Sequence, residues 1–357
     1  MDRSTYLKGL ILYCLNRIQG ERSVYAIYHI LKGKKSSQTI QDCRLFQLEF
    51  LFNCYRSLIR QELDNHIELL LAANEIEPVQ IEKKHFVLTL NGSQALERWE
   101  EELGLPPHLN GALYSSYEEI FWKRLSLAFQ VLSNLAHDCN QFIPITREER
   151  ILAWVKKWLK QQTSLPSTIN HFYQELYELL NQLDDPQAPI FVHKLTGYRR
   201  IGKTMIQLSE FFQINSLYVQ LSFLSSLHYL IGNVLQKKNK YPILFSFISD
   251  CAKGTSFTDS TAKTYSLLSK GYTIEEIAAM RKLKPNTIED HIVEIALLED
   301  HFPTRSFISP ELEENIKRTA ARLETKKLKL LKEKHPDASY FQIRLVLARQ
   351  GRIINET

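Results

Sequence analysis

The sequence has few of the residues that build turn-rich or cross-linked folds. Glycine and proline number 12 each in 357 residues. Both are below the average usage of about 7% and 5%, which favours helices over β-sandwiches and barrels. The cysteines are five, an odd and dispersed set without a Cys-x-x-Cys pair: Cys14, Cys43, Cys54, Cys139 and Cys251. Such a set indicates free thiols in a reducing compartment and excludes disulfide scaffolds and zinc knuckles.

Long apolar runs are also scarce, and a single window resembles a membrane span. Residues 217–235 carry no formal charge, but Gln220, His228 and Asn233 lie among them, and each would need a polar partner in lipid. The apolar positions form a wide helical face, which fits a helix buried in a bundle better than a span. Because the first helix lacks a signal-peptide cleavage pattern, we expect a cytoplasmic protein that is free to associate with the nucleoid.

The order of the patterns predicts a mainly α protein with several domains, since the chain is longer than one average domain. We expect a winged-helix-like domain over 1–105, a central helical bundle over 106–254, a helix-turn-helix domain over 255–310 and a basic helical segment over 311–357. Aromatic residues at helical spacing in the central bundle are expected in the core and not at a cofactor: Trp122, Trp154, Trp158, Phe172, Tyr173, Phe211 and Phe212.

The first domain combines helices with two short β-rich runs. A long helix is predicted over 56–73, and strand-like runs follow at 79–82 and 86–90. The turn between these runs contains Lys83 and Lys84. Helices followed by a ribbon with a basic tip are typical of a winged helix, in which we expect both lysines to contact the phosphate backbone. The alternative is an ordinary hairpin that covers the helices.

The clearest motif is a helix-turn-helix that begins near residue 259. Gly271 ends a first helix, Thr273 and Glu276 form a capping box that begins a second, and Pro285 begins a third. Agreement of the caps, the turn and the apolar spacing makes the motif moderately specific. A recognition helix in this position enters the major groove.

The predicted third helix offers both favourable and unfavourable side chains to DNA. Asn286, Thr287 and His291 are the residues best able to contact base edges. The predicted outward face is nevertheless acidic, and phosphates repel carboxylates. It contains Asn286, Glu289, Asp290, Val293 and Glu294. Docking on a protein partner is therefore the alternative role of this helix.

Positive charge is concentrated near the C-terminus. The formal net charge is +5, yet residues 316–334 carry eight basic residues against Glu324 and Glu333. Such a block favours binding to a polyanion, although a solvated helix face has the same composition. We expect phosphate contacts, assisted by Lys83 and Lys84, from Lys317, Arg318, Arg322, Lys326, Lys327 and Lys329.

A phosphate-loop pattern occurs in the central domain. Residues 197–204 fit G-x-x-x-x-G-K-T, residues 189–192 resemble the strand before such a loop, and the apolar run 243–250 ends in an aspartate. Phosphate-loop chemistry needs a parallel sheet, and the surrounding sequence predicts helices. We interpret the segment as a turn between helices, and we expect no enzymatic activity, no cofactor and no metal.

Residues 259–310 resemble the helicase helix-turn-helix family. The resemblance rests on Thr264, Leu267, Gly271, Arg281, His291 and the runs 274–278 and 287–288. The layout of the whole chain is similar to that of the YpbB-like family. This resemblance implies a non-enzymatic DNA-binding accessory partner of a RecQ-type DNA helicase in repair or recombination. A transcription regulator, an NTPase and a protein adaptor without DNA contact are the alternatives.

Overall fold

The structure is a computed structural model that describes residues 3–79, 84–251, 259–299, 301–323, 326 and 328–350. The elements of residues 3–102 are α1 (Arg3–Ile18), α2 (Tyr25–Leu31), α3 (Ser37–Leu45), α4 (Arg60–Ala72), β1 (Ile76–Pro78), β2 (Phe86–Leu88) and α5 (Leu90–Glu102). The middle of the chain forms α6 (Gly111–Tyr114), α7 (Glu118–Leu135), α8 (Glu149–Lys160), α9 (Leu165–Leu180), α10 (Gln187–Lys194), α11 (Met205–Phe212), α12 (Ser216–Gln236) and α13 (Pro242–Ser246). The last part forms α14 (Asp259–Leu268), α15 (Ile274–Arg281), α16 (Pro285–Leu298), α17 (Pro310–Arg322), α18 (Leu328–Lys334) and α19 (Tyr340–Gln350).

The chain divides into two compact units. We call Met1–Leu10 with Gln94–Ala252 the central unit, and Ile11–Ser93 with Lys253–Thr357 the discontinuous unit. The winged-helix-like, helix-turn-helix and C-terminal segments are predicted as consecutive domains. In the structure these three segments contribute to one unit. The mainly α fold with a C-terminal helix-turn-helix is confirmed.

The central unit is a helical bundle with an aromatic core. The ring of Phe247 lies 5.3 Å from that of Trp158 and 6.0 Å from that of Phe172, centroid to centroid. Tyr173 and Phe211, which are predicted in the core, are 58% and 55% exposed, so that prediction is wrong for both. Tyr173 directly follows the buried Phe172, and one residue rotates about 100° around a helix. Consecutive aromatic residues therefore point in different directions.

The uncharged window 217–235 lies within α12, whose polar side chains have partners inside the central unit. His228 is fully buried. Its Nδ1 accepts a hydrogen bond from the Asn110 N–H at 2.9 Å, and its Nε2 lies 2.8 Å from Glu118 Oε1. Throughout the described part of the chain, the helices lack the combination of length and apolar character that a membrane span requires.

The segment that matches a phosphate loop connects two helices. Residues 189–192 lie in α10 and are helical, not extended, and Thr204 begins α11 through a capping box with Gln207. A Cβ atom on Gly202 would lie 2.1 Å from the Lys194 carbonyl oxygen, so close backbone contact explains this glycine. Among the described residues, β1 and β2 form the sole sheet, which leaves the segment without the parallel sheet that nucleotide binding needs.

The N-terminal part of the discontinuous unit contains the predicted hairpin in a shifted position. β1 and β2 are antiparallel, with Ile76 opposite Leu88 and Pro78 opposite Phe86. β1 precedes the predicted run at 79–82 because Ile76, 2% exposed, provides the buried contact of the first strand. Residues 80–83 lie outside the described residues. The winged-helix arrangement itself stays a prediction.

Candidate nucleic-acid interface

The helix-turn-helix is built from α14, α15 and α16, and its local signals agree with the sequence. Gly271 has φ +88 beyond the end of α14. Thr273 Oγ1 accepts from the Glu276 N–H at 3.3 Å, and Glu276 Oε2 accepts from the Thr273 N–H at 2.8 Å. Pro285 occupies the first turn of α16, where its missing N–H costs no hydrogen bond. The predicted capping box and helix start are therefore confirmed.

Most of α16 is buried within the discontinuous unit. The helix packs against α3, α14, α15 and α19, and residues 291–297 are all buried. Val293 and Glu294 are fully buried, so their prediction as outward residues is wrong. The Glu294 carboxylate accepts hydrogen bonds from the hydroxyls of Thr261 at 2.7 Å and Ser37 at 3.3 Å. The central part of α16 is thus a packing element and does not present a free groove-binding face.

His291 lies inside the motif, not on its surface. The residue is 6% exposed, and its Nδ1 lies 2.8 Å from Thr264 Oγ1 and 3.4 Å from Arg281 Nη1. Burial lowers the pKa of the imidazole, and the nearby Arg281 charge lowers it further. The ring therefore joins α14, α15 and α16 as a neutral group. The predicted contact of His291 with a base edge is therefore wrong, because its ring is buried among these helices.

The acidic residue Asp290 is compensated by α19. Arg344 Nη1 lies 2.5 Å from Asp290 Oδ1, and Arg344 Nε donates to Gln41 Oε1 at 3.1 Å. Gln41 belongs to α3 and is fully buried. One arginine therefore connects α19, α16 and α3 and neutralises a carboxylate that would otherwise repel phosphates.

The part of the motif that remains accessible is the turn segment, residues 282–287. Lys282, Lys284 and Asn286 are exposed, and Thr287 is half-buried. Lys282 adopts a left-handed conformation at the end of α15, with φ +54. The turn segment therefore carries two lysines beside the first turn of α16, the part of a recognition helix that contacts base edges. Asn286 and Thr287 are among the predicted contacts, whereas the two lysines are not, although their position between Arg281 and Pro285 is a usable signal.

The basic C-terminal segment forms two helices that partly neutralise themselves. In α17, Lys317 Nζ lies 2.7 Å from Glu313, and Arg318 Nε lies 3.0 Å from Glu314. Three acidic residues of this helix, Glu311, Glu313 and Glu314, precede its three basic residues. They lie just before the window 316–334, so the charge count of that window omits them. The positive charge of residues 316–334 is therefore smaller at the surface than the sequence count suggests.

Lys326 points into the protein, contrary to its predicted contact with phosphate. Its Nζ donates to the Leu45 carbonyl and lies 5.5 Å from the centroid of the Phe46 ring. Its backbone N–H donates to both carboxylate oxygens of Glu21 at 3.0 Å. Burial lowers the pKa of this ammonium. Lys326 is therefore a packing residue of the discontinuous unit.

The remaining predicted phosphate contacts divide into exposed residues and undescribed ones. Arg322 and Lys329 are exposed. Lys84 is half-exposed at its side chain, and its Nζ lies 3.6 Å from Asp64 Oδ1. Lys83 and Lys327 lie outside the described residues. Exposed basic side chains therefore remain in the turn segment and on α17 and α18, although other basic residues form ion pairs or pack inside the unit.

The described residues contain no group of three or more His, Cys, Asp or Glu side chains arranged to hold an ion. The five cysteines are free thiols, and three of them, Cys14, Cys43 and Cys54, are buried.

Comparison with known proteins places this architecture in a family. Residues 260–347 match a family of helix-turn-helix domains. The chain is 36% identical over 346 residues to Protein YpbB of Bacillus subtilis (strain 168), which covers 97% of each protein. The chain belongs to the YpbB family. Its helix-turn-helix match extends beyond the predicted boundary at residue 310 and includes α17, α18 and most of α19, which agrees with the packing of α19 on α16.

The helix-turn-helix match supports DNA binding by this YpbB-family chain. No solved structure matches the chain.

Proposed function

We propose that the protein is a non-enzymatic DNA-binding protein that assists a RecQ-type DNA helicase in repair or recombination. The exposed turn segment of the helix-turn-helix is the observation that carries the proposal. It holds Lys282, Lys284 and Asn286 at the surface, next to the positive end of the α16 dipole. These groups suit a phosphate backbone and the edge of an adjacent base.

The burial of α16 limits how the protein reads DNA. A recognition helix that is covered by α3 and α19 cannot lie along the major groove over its full length, so only its first turn can approach a base. Asn286 is the best-placed side chain for that role because an asparagine amide pairs with adenine. We therefore propose a binding mode dominated by phosphate contacts, with Arg322 and Lys329 as further contributors, and little sequence preference.

The proposed helicase contact rests on the resemblance to the helicase helix-turn-helix family and on the surface of α15. Glu275 and Glu276 are exposed on this helix, and Met280 is 55% exposed. Exposed carboxylates disfavour a phosphate backbone, whereas an exposed methionine beside polar residues suits a protein contact. α15 is the element that we expect to face the helicase.

Fluorescence anisotropy over a salt series tests the DNA contact. The Lys282→Gln/Lys284→Gln variant should lose two phosphate contacts, which reduces the slope of log affinity against log salt by about 2 on duplex DNA. The Lys156→Gln/Lys157→Gln variant is the matched control, because both lysines are exposed on α8. An unchanged slope in the first variant, or an equal loss in both, would contradict the assignment.

The helicase role needs a separate measurement. Binding to duplex, single-stranded and forked DNA is compared with and without a RecQ-type helicase, and we expect tighter binding to forked DNA when the helicase is present. Glu275→Lys, which leaves the Thr273–Glu276 capping box intact, should remove that gain while DNA binding by the protein alone is kept or increased. A dimer that selects a palindromic site, with no effect of the helicase, would identify a transcription regulator instead.

A further inference from the structure

A groove of about 800 Å³ lies in the central unit between α7, α9 and α10. Its floor is apolar and consists of buried side chains: Leu132, Phe172, Leu176, Leu180 and Leu195. α9 contributes a continuous stripe at helical spacing: Ile169, Phe172, Tyr173, Leu176, Tyr177 and Leu180. The DNA-binding proposal uses none of these residues.

The rim of the groove exposes apolar surface that the fold does not cover. Tyr173 is 58% exposed, Tyr177 is 55% exposed, and Val192 on the opposite wall is 37% exposed. The two tyrosine rings stack with their centroids 5.6 Å apart. Exposed apolar side chains at the rim of a groove are typical of an interaction site, and tyrosine is enriched in protein interfaces.

One end of the groove is positively charged. Arg200 lines it and donates from Nη2 to His193 Nδ1 at 3.1 Å. Burial and the nearby charges of Arg200 and Lys203 lower the pKa of His193, so its imidazole is neutral near pH 7 and leaves the guanidinium charge uncompensated. Residues 186–209 contain four basic residues and no acidic one. An acidic group is the complement of this end.

The dimensions fit a short helix. The stripe from Ile169 to Leu180 is 12 residues of α9, which corresponds to about 17 Å or three helical turns. An amphipathic helix buries apolar residues at positions i, i+3, i+4 and i+7 in a groove of this form. A nucleic-acid strand fits less well, since Asp185 lines the groove and its carboxylate repels phosphates, and since the buried floor side chains are all apolar.

We propose that this groove binds an acidic amphipathic α-helix of a partner protein. The apolar side chains of that helix pack on the floor of the groove between α9 and α10. Its carboxylates lie at the Arg200 end, where Arg199 is also exposed.

Two synthetic peptides of sixteen residues test the proposal with the full-length protein. Both carry leucine at the helical i, i+3, i+4 and i+7 spacing, one with glutamate and the other with lysine at the remaining positions, and binding is measured by fluorescence anisotropy. We expect the glutamate peptide to bind at least tenfold more tightly. Val192→Glu should weaken this binding at least tenfold, and Arg200→Glu should reverse the preference between the peptides.

Matched controls separate the groove from general charge effects. Ile143→Glu and Lys160→Glu place the same charges at exposed positions of the central unit outside the groove, and both should bind the glutamate peptide as the wild type does. A thermal unfolding transition equal to that of the wild type, measured by circular dichroism, confirms that each variant is folded. Tyr177→Glu replaces Val192→Glu as the groove variant if Val192→Glu does not fold.

Three results would overturn the proposal. The first is equal binding of both peptides by the wild type. The second is displacement of the glutamate peptide by a single-stranded oligothymidylate, which would make the groove a nucleic-acid site. The third is a dimer in sedimentation that dissociates on Val192→Glu, which would make a second copy of this chain the occupant.

Discussion

At the scale of single residues, two lysines three positions apart have opposite environments. Lys326 is held against Leu45 and Phe46, whereas Lys329 is exposed on α18. Their sequence context is the same basic run, so composition predicts the same role for both. The difference arises from contacts with α3 and the segment after it, which are about 280 residues away in the chain. Residue-level roles in a charge run therefore depend on packing that composition does not contain.

The two lysines predict opposite phenotypes. Lys326→Met should reduce the free energy of unfolding by about 1–2 kcal/mol, because it removes a charge-assisted hydrogen bond to a backbone carbonyl, and it should leave the salt dependence of DNA binding unchanged. Lys329→Met should change stability by less than about 0.5 kcal/mol and reduce the salt slope by about 1. Urea unfolding and anisotropy on the same samples measure both effects, and a DNA-binding defect confined to Lys326→Met would refute this division of roles.

At the scale of elements, the caps and the long periodic runs predicted their helices correctly, whereas a short apolar run and the contacts between distant segments did not give a correct prediction. The Thr273 capping box, the start of α16 at Pro285 and the buried helix α12 were all predictable, since each depends on residues within a few positions. The helix α10 was missed because its short apolar run has no helical period, and length alone could not distinguish it from a strand. The burial of Val293 and Glu294 was unpredictable, because α3 and α19 cover them from remote positions.

Arg344 is the residue that we expect to matter most for the contact among α19, α16 and α3. Arg344→Met leaves the buried Gln41 oxygen without this donor and Asp290 without its counter-charge, so stability should fall by roughly 2 kcal/mol. Arg318→Met is the matched control, as it removes a surface pair on α17 that contributes about 0.3–0.5 kcal/mol. Thermal and urea unfolding compare the two variants. An equal loss in both would show that α19 is not anchored through this arginine.

At the scale of the whole molecule, the helix-turn-helix depends on residues from both ends of the chain. Ser37 of α3 donates a hydrogen bond to Glu294 of α16, and Gln41 of α3 accepts one from Arg344 of α19. Residues 94–252 separate α3 from α14 in the sequence. Domain boundaries drawn from sequence as consecutive ranges could not represent this arrangement. The candidate site was predicted at the level of its motif, whereas the accessible part of that motif required the structure.

A fragment of residues 253–357 should therefore lack a stable fold of its own. Without α3, the side of α16 that carries Glu294 loses its cover, and a buried carboxylate loses one of its donors. We expect low helicity and no cooperative thermal transition by circular dichroism, and recovery of both when residues 11–93 are supplied as a second chain. A cooperative transition of the isolated fragment at the temperature of the full-length protein would contradict this expectation.

The discontinuity of this unit also has a consequence during translation. Residues 11–93 leave the ribosome well before residues 253–357, and the 159 residues between them take on the order of 10 s to synthesise at about 5–20 residues per second. For that interval the surfaces of the N-terminal part that later contact α16 and α19 have no partner. The nascent chain must keep these surfaces soluble until residues 253–357 are made. A premature stop codon before residue 253 would leave residues 11–93 without the segment that they fold against.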